Sequence, residues 1–215
     1  MKCVVLFSGG MDSAVLLHWM REKGYEVAAL AFDYGQRHRI ELEYASKYAT
    51  ANHFPIEVAN VSAIASLIAG KSCQMNRDVA VPHGSFTDES MKATVIPNRN
   101  MIMLSIAVGH AIASGASVVA FAAHSGDRTI YPDCRREFVE SLDSAVGKCD
   151  WQHVSLYAPF LEMHKGAVAA QGYRLGVNFA ATWSCYEGGP QPCGQCGACN
   201  ERQEALWYVS RRGEI

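Results

Sequence analysis

The chain has 215 residues, of which 49% are hydrophobic and 19% charged, with a formal net charge of -2. This composition excludes a disordered polypeptide and provides for one well-buried domain plus a small appendage. It lacks the basic excess of proteins that grip nucleic-acid phosphates, and it shows neither a secretory signal nor an apolar run long enough to span a bilayer, so a cytoplasmic protein with no nucleic-acid or membrane partner is expected.

Residues 2–7 form a short β-rich run. Residues 11–22 then carry Val15, Leu16, Trp19 and Met20 at helical spacing. A second strand is expected over 26–32, a helix over 40–50 with Leu42, Ala45 and Ala49 on one face, and a third strand over 56–61. Strands alternating with helices predict an α/β fold, a parallel sheet with helices on both faces. Residues 70–92 break the rhythm with Ser, Asn, Asp, Pro and Gly, as a functional lid or a partly disordered loop does. An apolar helix follows over 100–114, a strand over 117–123 and a helix over 133–146. Beyond about residue 172 the composition turns to Gly, Pro and Cys. This predicts an α/β domain over 1–172 and a small C-terminal segment over 173–215 packed on it.

The first chemical motif is Ser8-Gly9-Gly10-Met11-Asp12-Ser13, between the first strand and the first helix. That position aims unpaired backbone N–H groups and the positive helix end at an anion. Gly9 and Gly10 permit a tight turn and a close phosphate. Ser8 and Ser13 add hydroxyls, and Asp12 either caps the helix or helps hold a magnesium ion. A Walker loop is excluded because no Gly-Lys-Ser/Thr follows, and a dinucleotide fingerprint because the third glycine is missing.

Four of the eight cysteines, Cys185, Cys193, Cys196 and Cys199, crowd together near the C-terminus. Clustered thiols in a reduced compartment read as metal ligands rather than disulfides. Four thiolates suit one structural tetrahedral zinc; an iron–sulfur cluster is the rival.

The glycine loop resembles the SGGxDS signature of the PP-loop ATP pyrophosphatases. Further strings narrow the resemblance: Phe32-Asp33-Tyr34-Gly35-Gln36-Arg37-His38, Ile96-Pro97-Asn98-Arg99-Asn100, Tyr131-Pro132-Asp133-Cys134-Arg135 and Thr182-Trp183-Ser184-Cys185-Tyr186. Together they are similar to the 7-cyano-7-deazaguanine synthase family over nearly the whole chain, residues 70–92 excepted. The resemblance implies that 7-carboxy-7-deazaguanine, ammonia and ATP give the 7-cyano base, through an adenylated carboxylate, an amide and an adenylated amide, releasing AMP and pyrophosphate. It also implies a homodimer, Mg2+ with ATP, and ATP contacts along Phe7, Ser8, Gly9, Gly10, Met11, Asp12, Ser13, Ala14, Val15, Leu16 and Leu17. Asp12, Ser13, Arg99 and Lys165 are the expected catalytic residues. Arg99, Asp127, Tyr131, Asp133 and Arg135 are the expected substrate contacts. Arg99 is a fork for a carboxylate or phosphate, and Asp127 or Asp133 could accept from the amino edge of a purine-like base. Asp133 could equally be a helix cap, and Lys165 a solvated helix-end lysine. His38, His83, His124 and His164 share no metal spacing and read as structural. The competing functions are a PP-loop enzyme that adenylates a different carboxylate or a tRNA base, and a zinc-stabilised nucleotide sensor without catalysis.

Overall fold

The computed structural model describes residues 1–84 and 88–211. Five parallel strands, β1 (Lys2–Leu6), β2 (Glu26–Asp33), β3 (Ile56–Asn60), β4 (Val118–Ala120) and β5 (Ser155–Tyr157), lie in the order β3-β2-β1-β4-β5. Val4 pairs with Ala28 on one side and with Val119 on the other. Strand side chains alternate between two cores. Cys3, Val5, Val27, Ala29, Val118 and Ala120 point to one face, and Val4, Leu30, Phe32 and Val119 to the other.

The first face is covered by α1 (Met11–Glu22), α2 (Ile40–Ala51), α7 (Lys165–Arg174) and α8 (Gly197–Arg211); the second by α5 (Arg99–Ser114) and α6 (Arg136–Val146). Short helices α3 (Ala65–Ile68) and α4 (Asp88–Lys92) flank the segment 70–84. The expected loop over 70–92 thus ends in a helix, and its residues 85–87 lie outside the described residues. Among the described residues no helix is long and apolar enough to cross a membrane.

Most expected elements stand within one or two residues of their positions, and α1 coincides with the expected span. Three expectations change. The strand over 117–123 shortens to Val118–Ala120, since the chain then leaves the sheet to line a cavity. The helix over 133–146 begins only at Arg136, because Pro132–Cys134 forms a separate 3-10 turn. Strand β5 and helix α8 complete the fold, although composition suggested neither. Helix α7 runs through residue 172, and Ala205 and Val209 of α8 share the core that holds Val15, Leu16 and Leu17 of α1.

The connections run outward from β1 through β2 to β3, and outward from β4 to β5. The order therefore reverses between β1 and β4. At such a switch point the loops leaving the two strands diverge and open a crevice at their C-terminal ends. The loops that follow β1 and β4 carry Ser8–Ser13 and Asp127.

Candidate active site and metal centre

A cavity of about 270 Å³ occupies this crevice. Its walls include Ser8 and Gly10 from the loop after β1, Asp12 and Ser13 from the first turn of α1, Tyr34 and His38 from the β2–α2 connection, Glu41 from the start of α2, Arg99 and Asn100 from the start of α5, and Asp127, Tyr131 and Cys134 after β4. Gln74 and Tyr186 close it.

The glycine loop is pinned from three sides. Gly9 has φ +81°, a conformation that L side chains rarely adopt, and a Cβ there would lie 2.6 Å from the Glu41 carbonyl oxygen. Trp183 N donates to the Gly9 carbonyl at 2.9 Å. Ser8 Oγ accepts from Gly10 N at 3.2 Å and lies 3.2 Å from Ser13 Oγ, so the two hydroxyls stand side by side. No side chain caps α1 at Gly10, which leaves its first N–H groups available to an anion. The side chains of Met11, Ala14, Val15, Leu16 and Leu17 fill the core, so nucleotide contact by these residues would run through backbone.

Asp12 does not cap the helix. It meets Lys165 Nζ at 3.2 Å, and Lys165 also meets Glu201 at 3.4 Å. Burial opposes the charge on Lys165, but Asp12, Glu201 and Asp127 outweigh it and hold the ammonium well above its usual range. The other Asp12 oxygen, Oδ1, is buried with no hydrogen-bond partner among the described residues, which suits a cation brought in with a nucleotide. Asp127 Oδ2 accepts from His124 N at 2.9 Å, and burial pushes its carboxyl up despite the nearby Lys165.

Arg99 faces the cavity among neutral groups. Its Nη1 donates to Gln74 Oε1 at 3.0 Å, and Tyr34, Tyr131 and Tyr186 surround it. Among the described residues no carboxylate comes within ion-pair distance of this guanidinium. Tyr131 is fixed by its hydroxyl, 2.5 Å from Thr94 Oγ1. Asp133 lies behind this wall: its Oδ2 accepts from Asn100 N at 3.1 Å and so caps α5, the helix that presents Arg99, rather than the α6 that follows it in sequence. Arg135 is exposed and donates to the Arg128 carbonyl at 2.9 Å, away from the cavity. Cys134 accepts from Asn100 Nδ2 at 3.2 Å, and burial pushes its thiol up, which makes it a poor nucleophile.

Gln74, His38, Glu41 and Tyr186 are cavity residues that the sequence reading did not select. Gln74 gave no signal, being one amide in an irregular segment. His38 and Glu41 did: a His and a Glu three apart at a helix start share one face. His164 Nδ1 accepts from Ala167 N and caps α7, which fixes the helix that begins with Lys165.

The sulfur atoms of Cys185, Cys193, Cys196 and Cys199 all lie within 4.8 Å of one another, with Cys193 and Cys199 at 4.0 Å. A tetrahedral zinc with Zn–S of about 2.3 Å needs sulfur–sulfur edges of about 3.8 Å. The four thiols therefore fit one ion with small adjustment, and they leave no position for a substrate. Cys193 Sγ accepts from Gln195 N at 3.4 Å and from Cys196 N at 3.2 Å. Burial pushes this thiol up, but those N–H bonds, together with hydrogen bonds from the Cys185 and Cys196 thiols, outweigh it and bring it to about 7. A short antiparallel bridge between His83 and Cys196 ties the segment 70–84 to the cluster. Arg37 holds the same segment by donating to the carbonyls of Asn76, Arg77 and Val79.

A family model for queuosine biosynthesis protein QueC matches residues 2–209. A 7-cyano-7-deazaguanine synthase of Marinobacter nauticus is 46% identical over 203 residues, covering 94% of this chain and 91% of that protein. One from Caldicellulosiruptor bescii is 46% identical over 215 residues, 100% of this chain and 96% of the relative. Among solved structures, an NMN synthetase from Francisella tularensis superposes with TM-score 0.56 at 15% identity, covering 100% of this chain and 78% of that one. A 4-thiouridine synthetase in complex with RNA and ATP gives TM-score 0.56 at 16% identity, covering 97% and 50%. At such identities these two likenesses carry the fold alone.

Proposed function

From the membership of this chain in the QueC family of queuosine biosynthesis proteins, we propose that it is a 7-cyano-7-deazaguanine synthase acting on 7-carboxy-7-deazaguanine, ammonia and ATP. The observation that carries this reading is the Arg99 guanidinium, which faces the cavity with Gln74 and tyrosines and, among the described residues, has no carboxylate at ion-pair distance. A charge held this way favours an anionic ligand, and a planar carboxylate suits the guanidinium fork.

In this reading the phosphates of ATP lie on the N–H groups at the start of α1, with Ser8 and Ser13 donating to them. The substrate carboxylate, oriented by Arg99, attacks the α-phosphorus and expels pyrophosphate. Lys165 stabilises the charge developing on the phosphates; its links to Asp12 and Glu201 keep it charged and in position. Ammonia displaces AMP to give the amide. A second adenylation, on the amide oxygen, lets AMP depart again and leaves the nitrile. Adenylation matters because a stabilised phosphate monoester leaves where an oxide cannot. Asp12 Oδ1 is the group that would help hold Mg2+, whose chemistry is to neutralise phosphate charge. The four cysteines hold a structural zinc, and the segment 173–215 acts as a metal-held cover on the sheet domain. Asp127 and Tyr131 contact the base, while Asp133 serves by holding the helix that bears Arg99. Two copies form the working protein, and the net charge of -2 supports small-molecule substrates over a nucleic acid.

Mass analysis of the base after incubation with the carboxylate, ATP and ammonium tests the proposal. The nitrile should appear, with AMP and pyrophosphate as the nucleotide products. ADP and phosphate as the main products, or a conjugate other than the nitrile, would refute it.

A further inference from the structure

His38 and Glu41 form a pair that the reaction as described leaves unused. His38 lies at the end of the β2–α2 connection, is 3% exposed and lines the cavity. Its Nε2 stands 3.3 Å from Glu41 Oε2. A carboxylate only accepts, so its nearness favours the hydrogen on Nε2 and leaves Nδ1 as a bare lone pair on the neutral ring. That Nδ1 is buried and meets no hydrogen-bond partner among the described residues. A buried acceptor without a donor is costly and rare in folded proteins, and it calls for a reason.

The surroundings hold this arrangement in place. Gln36 Nε2 donates to Glu41 Oε1 at 2.9 Å and to the Phe32 carbonyl at 3.0 Å, so the carboxylate is fixed from both sides. Tyr186 packs against the imidazole, with ring centroids 5.4 Å apart. Among the described residues the hydrogen-bond and ion-pair partners of Glu41 are Gln36 and His38, and no lysine or arginine pairs with it. A proton arriving at Nδ1 would create an imidazolium beside a carboxylate already in position. This is the logic of a base oriented by a third group, in which the acid fixes the tautomer and stabilises the cation that forms.

The position is also apt. The Glu41 carbonyl touches the glycine loop at Gly9, and Tyr34 feels both Glu41 and Arg99. The dyad thus sits between the loop assigned to phosphate and the arginine assigned to the substrate anion. An adenylated carbonyl carbon held by those two groups would lie along the wall that His38 lines.

We infer that His38 is the proton acceptor for nitrogen attack, with Glu41 as its positioning residue. The inference rests on the proposed adenylation chemistry. The nitrogen lone pair forms the C–N bond, the C–O bond to AMP breaks with its electron pair going to the phosphate oxygen, and the surplus proton on nitrogen passes to His38 Nδ1. The first half of the reaction, in which carboxylate attacks ATP, releases no proton and does not use the dyad.

The test compares His38→Gln with the unaltered full chain in three assays. Gln keeps a donor for Glu41 but offers no basic nitrogen. Carboxylate-dependent exchange of labelled pyrophosphate into ATP, without ammonium, reads the adenylation half. Amide and nitrile formation with ammonium reads the attack. Hydroxamate formation with hydroxylamine reads attack by a nucleophile whose nitrogen, once bonded to carbon, gives up its surplus proton to water far more readily than that of ammonia. Amide formation should fall on the order of 10²-fold, exchange should fall far less, and hydroxylamine should recover most of the loss. An equal fall in exchange and attack, unchanged amide formation, or no advantage for hydroxylamine would overturn the assignment. If His38→Gln does not fold, Glu41→Gln carries the same comparison, with a fall of roughly tenfold confined to the ammonium assay. Absence of exchange in the unaltered protein would overturn the adenylation reading itself, a result distinguishable from loss in the variants alone.

Discussion

Gly9→Ala gives a severe test of how the glycine loop is built. At φ +81° an L residue carries a backbone strain of roughly 1–2 kcal/mol. The new Cβ would also stand 2.6 Å from the Glu41 carbonyl oxygen, 2.9 Å from Ala45 N and 3.2 Å from Ala45 Cα. All three are backbone atoms of α2, so no side chain can rotate away, and the loop must lift off the helix. Overpacking of this kind costs about 1–3 kcal/mol more. The sum, about 2–5 kcal/mol, lowers Tm by roughly 5–15 °C in a chain of this size. Displacing the loop should also cut kcat/KM for ATP on the order of 10²-fold, since catalysis depends steeply on the position of phosphate donors. Gly24→Ala is the control, because Gly24 has φ +84° but no atom within 4 Å of its Cβ position. It should show strain alone, with a Tm loss of roughly 3–6 °C and full activity. Differential scanning fluorimetry and ATP kinetics on both variants decide the matter. Equal behaviour of the two would refute the close-packing argument, and a Gly9→Ala protein with unaltered ATP kinetics would refute the assignment of the loop to phosphate.

Cys196→Ser should lower zinc content from about one ion per chain to near zero by elemental analysis, and should cost the fold broadly, because α8 carries core residues Ala205 and Val209 as well as Cys199. Metal sites of this type supply roughly 10–16 kcal/mol in isolated peptides, so a Tm loss above about 10 °C is expected, and a colourless protein without iron or sulfide. Asp127→Asn should raise Tm at neutral pH while lowering turnover by about tenfold or more. Burial raises the Asp127 carboxyl, so its folded form favours the proton. The sign then follows: the group's stabilising contribution is complete below the ordinary carboxylate range and is lost as pH rises through the raised value, so removing the charge helps most at neutral pH. The Tm gap between variant and parent should close on acidification; a gap that widens in acid contradicts the burial argument.

The parallel sheet and its first four connections were legible because each element keeps one period and one apolar face. The run from Lys2 to Ala51 is the best case, since both helices start directly after a turn-forming stretch. Strand β5 was not legible, for it is three residues long and buries only Leu156. Helix α8 was hidden by its first turn, Gly197-Ala198-Cys199, where metal-cluster composition masks a helix whose apolar side rests on Ala205 and Val209. In the cavity, residues in motifs could be named, and the structure brings Asp12, Ser13, Arg99, Asp127 and Tyr131 around one space, with Lys165 paired to Asp12 at its side. Arg135 lies away from it, because Pro132 starts a turn that swings the following side chain outward. The polar lining from the irregular segment, Gln74 above all, depends on long-range folding that no local pattern encodes.

The bond from Trp183 N to the Gly9 carbonyl has a consequence for biogenesis. The loop that opens the chain is completed by residues made roughly 170 positions later. At typical elongation rates this separates the two by about 10–30 s of synthesis. Through that interval the nascent chain holds a glycine loop without its Trp183 anchor, without the Lys165 partner of Asp12, and with the α1 face uncovered by α7 and α8. The loop assigned to phosphate therefore takes its final form only once α7, α8 and Trp183 are in place.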